Sequence, residues 1–132
     1  VLAPERPPAL EPLPLRSIKI TDGDTIRCDV DLPYGITLRD AQLRASDYDA
    51  WELSHRRQTR LVTDVEVSRG KRARTELEAL LATGEVYLVP PAGKSRDVYG
   101  RLLGSWWVKQ GGEWTRVADW MKAKGHDRGK AP

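Results

Sequence analysis

The chain has 132 residues, enough to bury one hydrophobic core and too few to divide into two domains. Twenty-two Lys and Arg against nineteen Asp and Glu leave a formal charge of +3, a mild excess that suits an anionic partner without requiring one. A single cysteine excludes an internal disulfide and a thiolate metal cluster, and no apolar run approaches the roughly 18 to 20 residues that cross a bilayer, so a soluble chain without a membrane contact is expected.

Residues 1–14, VLAPERPPALEPLP, hold five prolines and no periodicity and read as an extended linker or tail, with residues 15–132 forming a single domain. Val1 in place of methionine makes a removed or omitted upstream segment an expectation. From residue 15 strand patterns begin. Ile18 and Ile20 alternate with polar neighbours, as do Ile26, Cys28, Val30 and Leu32. Pro33-Tyr34-Gly35 supplies turn chemistry, and Ile36 and Leu38 continue the alternation as the hairpin partner. Between Leu38 and Ala41 the apolar phase flips. A β-bulge there would turn Leu43 and Ala45 inward and Gln42 and Arg44 outward.

Thr63-Asp64-Val65-Glu66 fits a capping box, and Ala73, Leu77, Leu80 and Leu81 recur at helical spacing up to Gly84, with Gly70 weakening the first turns. Strands are then expected at Val86 to Val89 and Leu102 to Val108, a turn at Gln110-Gly111-Gly112, and a short helix through Val117, Trp120 and Met121 that stops at Gly125. The order βββαββα predicts a mainly β, α+β fold: a five-stranded OB-type Greek-key barrel with two packed helices. The strand and helix periods make Trp106, Trp107, Trp114 and Trp120 packing residues.

Three charged blocks stand out. Asp22-Gly23-Asp24-Thr25 lies between two strands, with both carboxylates on one parity; it suits a cation, or is a charged turn. As an EF-hand it fails, because Ile26 and Arg27 stand where an oxygen ligand and a glycine are required. Next, Arg44 is followed by Asp49-Ala50-Trp51-Glu52, a site or a solvated loop. Last, Asp97-Val98-Tyr99-Gly100-Arg101 opens a strand after the loop containing Lys94. Gly93-Lys94-Ser95 is not a P-loop, since the earlier glycine is Leu88 and a strand follows. Cleaving a phosphodiester calls for a hard cation on oxygen ligands, a base for water, and cationic donors to the phosphoryl oxygens. With only His55 and His126 present, a carboxylate base suits the composition better than paired imidazoles.

These three blocks, in this order around one helix and spanning about residues 15–125, resemble the staphylococcal nuclease (thermonuclease-like) family. The family pattern is Asp-Gly-Asp-Thr, an Arg followed five residues later by Asp-x-Pro-Glu, then Tyr-Gly-Arg. This chain departs from it with Trp51 in place of proline, with Asp47-Tyr48 for a small apolar pair, and without the tyrosines the family carries after Gly125. The resemblance implies a calcium-dependent nuclease acting on DNA, RNA or both, as a monomer, with family habit leaning toward secretion or the cell envelope. It implies Asp24, Asp49 and the Ala50 carbonyl as calcium ligands and Glu52 as the base for the attacking water. Arg44 and Arg101 would be the phosphate clamps that complete the catalytic set. Beside this resemblance, Lys94 and Tyr99 are candidate substrate contacts, and Tyr99 reads equally as a stacking or phosphate-bonding residue and as simple packing at a strand start. The basic run from His55 to Arg60 reads as an exposed loop able to meet a nucleic-acid backbone through charge. The alternative is a catalytically inactive module of the same barrel that binds nucleic acid or protein.

Overall fold

The computed structural model describes residues 11–51 and 64–129. Its strands are β1 (Leu13–Asp22), β2 (Thr25–Asp31), β3 (Thr37–Ala45), β4 (Glu85–Val89), β5 (Leu102–Gln110) and β6 (Glu113–Arg116); its helices are α1 (Asp64–Leu81) and α2 (Val117–Ala123). Neighbouring strands run β3-β2-β1-β4-β5, and parallel pairing of β3 with β5, Leu43 to Leu102 and Ala45 to Gly104, closes them into a five-stranded mixed barrel of the OB type. Closure joins the two edges of this sheet, β3 and β5, and β6 adds a sixth strand alongside β5.

The expected hairpin is present. Tyr34 and Gly35 both take positive φ, 66° and 71°, which matches the turn to the right-handed twist of β2 and β3. The expected bulge is present too. Cys28 faces Ala41 while Val30 faces Leu38, so β3 carries one extra residue, and Asp40 absorbs it at φ 51°. The Arg27 guanidinium holds the Asp40 carboxylate at 3.1 and 3.2 Å on the exposed side. Beyond the bulge Leu43 and Ala45 are fully buried, as the phase flip requires.

A second bulge has no counterpart in the sequence reading. Ser17, at φ 54°, is the extra residue between the pairs Arg16–Asp29 and Lys19–Arg27. It explains how Leu15 and the even-numbered Ile18 and Ile20 all pack on the same core. β1 also begins at Leu13, opposite Leu88, so the strand takes in two residues of the segment read as linker.

α1 is continuous from Asp64, with no late start at Gly70, which is buried within it. Gly84 ends the segment through close approach, since a Cβ there would run into the Lys109 carbonyl. β6 was not expected. Its four residues carry no clean alternation; it pairs antiparallel with β5 from Glu113 opposite Gln110 to Arg116 opposite Trp107, and Trp114 meets Tyr87 and Trp107 edge-on at 5.1 and 6.5 Å. The element order is therefore βββαβββα.

Ile26, Val30, Leu43, Leu77, Trp106, Val108, Val117 and Met121 form the centre of the core between the barrel and both helices. Cys28 lies in it, and burial, followed by the nearby Asp29 and Asp40 charges, pushes its thiol up to about 12, so it stays protonated and inert at neutral pH. Among the described residues no helix is long and apolar enough to cross a membrane.

Candidate functional site

The site begins at the β1–β2 turn. Asp22 and Thr25 pair across it, and Gly23 packs so tightly that a Cβ would lie 2.8 Å from the methyl of Ala50 and 2.8 Å from that of Ala73 on α1. Only glycine lets the turn sit against both. Gly23→Ala is therefore expected to cost about 1 to 3 kcal/mol in chemical denaturation. An unchanged denaturation midpoint would show that helix and loop do not press on the turn as described.

Asp24 is buried with its carboxylate fixed on both oxygens. Oδ2 accepts the Ala50 N–H at 2.7 Å and Oδ1 the Thr25 hydroxyl at 3.1 Å, while the Asp24 carbonyl accepts the Ala45 N–H. The residues after β3 fold over this turn because Tyr48 reaches beneath them. Its hydroxyl donates to the Gly23 carbonyl, and its ring meets Trp106 edge-on at 6.2 Å. Burial, with Asp24 and Asp47 nearby, raises its phenol well above the ordinary value, so Tyr48 remains a donor. Asp47 ties the same loop to the sheet through Ser105 and Arg116, each at 2.9 Å.

Arg44 corrects one expectation. It does point away from the barrel interior, yet it is not solvated: the 46–51 loop covers it, leaving 7% of the residue exposed. Its Nη1 donates to the carbonyls of Ala45 and Tyr48 at 2.6 and 2.8 Å, and its Nη2 to Asp49 Oδ1 at 2.7 Å, with Asp24 Oδ2 at 3.4 Å. Two carboxylates from distant parts of the chain thus meet at one guanidinium nitrogen. Burial and then the Asp24 charge push the Asp49 carboxyl up to about 6, against the opposing pull of Arg44 and Arg128.

Arg101 comes to the edge of this cluster. Its Nη1 lies 3.4 Å from the Thr25 hydroxyl, the group bonded to Asp24, and its Nε donates to Asp97 Oδ2 at 2.6 Å. Burial acts to raise the Asp97 carboxyl, but the Arg101 and Tyr99 N–H groups and the Arg101 guanidinium hold it below the usual range. Tyr99 is exposed beside Arg101, ring centroid 5.4 Å from the guanidinium carbon. Lys94 is exposed on the preceding loop and is not drawn into the cluster. Glu52, the basic run from His55 to Arg60 and Thr63 lie outside the described residues.

Asp24, Arg44, Asp49, Ala50 and Arg101 are therefore brought together from three separate stretches of chain. Among the described residues no third His, Cys, Asp or Glu joins the two carboxylates as a metal-binding group. The two carboxylates, both buried and both within reach of one guanidinium nitrogen, are oxygen donors of the kind a hard cation takes.

The sequence reading missed the contribution of Asp127 and Arg128. Asp127 Oδ1 accepts the Asp49 N–H at 3.1 Å, and the Arg128 N–H donates to the Asp49 carbonyl at 2.7 Å. Only a charged pair just past the helix-stopping Gly125 hints at this in the sequence. Trp51, which stands where the resembled pattern has proline, is stacked by Arg69 at 4.8 Å and by Arg128 at 5.7 Å. No protein-family model matches this chain, and no curated protein matches it.

Proposed function

We propose that the protein is a calcium-dependent nuclease that hydrolyses phosphodiester bonds of DNA, RNA or both. The observation that carries this reading is the meeting of Asp24 and Asp49 at the Arg44 guanidinium, with Arg101 one hydroxyl away. A buried carboxylate pair without a cation would repel a phosphate, whereas the same pair holding one would attract it. Asp24, Asp49 and the Ala50 carbonyl would hold calcium, which supplies charge to the phosphoryl oxygens and lowers the barrier to ionising a nearby water.

In this mechanism Arg44 and Arg101 hold the phosphate. A planar guanidinium matches two phosphoryl oxygens at once; Arg44, whose Nη groups now face the Ala45 and Tyr48 carbonyls and the Asp49 and Asp24 carboxylates, would turn Nη2 to the phosphate as a cation takes over the two carboxylates. Glu52 accepts a proton from water as its oxygen bonds to phosphorus in line with the departing ester oxygen. The bond from phosphorus to the departing ester oxygen then breaks, and the leaving oxygen takes a proton from solvent water. Tyr99, exposed beside Arg101, would contact the adjoining nucleotide by stacking or by a hydrogen bond, and Lys94, exposed on the preceding loop, would add charge for the nucleic-acid backbone.

Glu52→Gln and Arg101→Ala should each lower turnover by about 10²-fold or more in a chain that still folds, Arg101→Ala melting somewhat lower for loss of its pair with Asp97, since both groups act chiefly in the transition state. Steady-state kinetics on a labelled oligonucleotide, paired with thermal melts, checks this. Rates near wild type in either variant would refute the roles given to them. The second reading, a binding module without turnover, draws on the closure of the cluster upon itself: Asp24 already accepts from Ala50 and Thr25, and Asp49 from Arg44. Such a module would bind oligonucleotide equally well in calcium and in chelator and leave it intact.

A further inference from the structure

The residues that follow α2 do more than end the fold. His126 is buried, its Nε2 2.9 Å from Glu76 Oε2 on α1 and its N–H on the Met121 carbonyl. From that anchor the next two residues address Asp49 at three points. Asp127 Oδ1 accepts the Asp49 N–H at 3.1 Å, the Arg128 N–H donates to the Asp49 carbonyl at 2.7 Å, and Arg128 Nε lies 3.7 Å from Asp49 Oδ2. The same Asp127 oxygen accepts the Gly129 N–H at 3.0 Å, which fixes the strap's own turn. Arg128 then lies over Trp51, two residues beyond Asp49, while Arg69 of α1 stacks on the same indole.

Asp49 stands on a loop, and a loop ligand left to move must be ordered each time a cation binds, at a cost in backbone entropy. Bonds to both of its peptide groups remove that cost in advance and aim the carboxylate. We propose that Asp127 is a positioning residue for Asp49: the strap at residues 126–129 holds the Asp49 peptide and thereby sets the calcium affinity of the site. This rests on Asp49 being a calcium ligand, as proposed above. The bond spans 78 residues of sequence, so the strap links the end of the chain to the site directly.

The test is calorimetric titration of calcium into the full chain, with amide hydrogen exchange at Asp49 in the same samples. Asp127→Ala should raise the calcium Kd about 10- to 100-fold and speed exchange of the Asp49 amide. Asp127→Asn, which keeps an acceptor oxygen at the same reach but no charge, should return both to within a few-fold of wild type. Asp127→Ser, too short to reach the Asp49 N–H, should repeat the alanine result and serves if alanine unfolds the chain. Wild-type affinity in the alanine and serine variants would overturn the proposal, as would an asparagine variant as weak as alanine, which would make the effect one of charge. A wild type that takes up no calcium would overturn the nuclease reading itself, and it would do so before any variant is compared.

Discussion

Arg44→Ala is expected to destabilise the metal-free protein by about 3 to 5 kcal/mol, because it strands two buried carboxylates that now share one guanidinium. It also leaves the carbonyls of Ala45 and Tyr48 without their donor. Calcium should restore part of the loss, since a bound cation takes over the neutralisation that Arg44 provides and stabilises the fold by mass action. Urea denaturation with calcium and with chelator measures both effects. A loss of under about 1 kcal/mol, or one that calcium does not touch, would contradict the electrostatic account. Turnover should fall with the same substitution, and activity should not return with calcium, because the phosphate clamp is gone.

Asp49→Asn should act in the opposite direction on stability. The Asp49 carboxyl sits at about 6 in the fold, above the ordinary 3.8, so the folded state is penalised by its charge at neutral pH. That penalty is complete above about pH 6 and is relieved as pH falls toward 3.8, where the folded chain holds the proton more tightly than the unfolded one. Asparagine keeps an acceptor for Arg44 and removes the charge. Metal-free Asp49→Asn should therefore be more stable than wild type by about 1 to 3 kcal/mol at pH 7 and should lose this part of the pH dependence. Calcium binding should weaken by orders of magnitude in the variant, and in the wild type it should weaken as pH falls below about 6, where proton and cation compete for one carboxylate. Melting curves from pH 5 to 8, with and without calcium, are sufficient. A variant less stable than wild type at pH 7 would show that Asp49 is held mainly by its pairing with Arg44 and Arg128.

The barrel was legible because alternation, turn residues and the phase flip at Leu38 to Ala41 are local signals, and each reports which side of a strand faces the core. The bulge at Asp40 follows directly from that flip. Alternation does not report what covers the other side. Arg44 was placed outside the barrel correctly, but its burial depends on Tyr48 anchoring the next loop to Gly23, a contact 25 residues apart that no period encodes. The bulge at Ser17 was hidden for the opposite reason: Ile18 and Ile20 alternate well by themselves, and the slip shows only against Leu15. β6 pairs with β5 and sets Trp114 against Tyr87 and Trp107, a surface aromatic cluster rather than a hydrophobic period.

For the site, three short blocks compared with a resembled family pattern single out Asp24, Arg44, Asp49 and Arg101, and these four side chains lie close together in the fold. Asp127 and Arg128 were not legible. Their chemistry lies in a backbone pairing with Asp49, and backbone groups carry no residue-specific signature. The closeness of Gly23 to Ala50 and Ala73 was equally silent, since a turn glycine reads the same whether it serves conformation or space.

Degradation of a labelled single-stranded oligonucleotide by the purified chain, in millimolar calcium and in excess chelator, with Asp49→Asn alongside, tests the central claim most directly. Fragments from the wild type in calcium alone, and none from the variant, are the predicted result. An oligonucleotide that stays intact in calcium while binding equally well in both buffers would contradict a nuclease and leave the barrel a binding module.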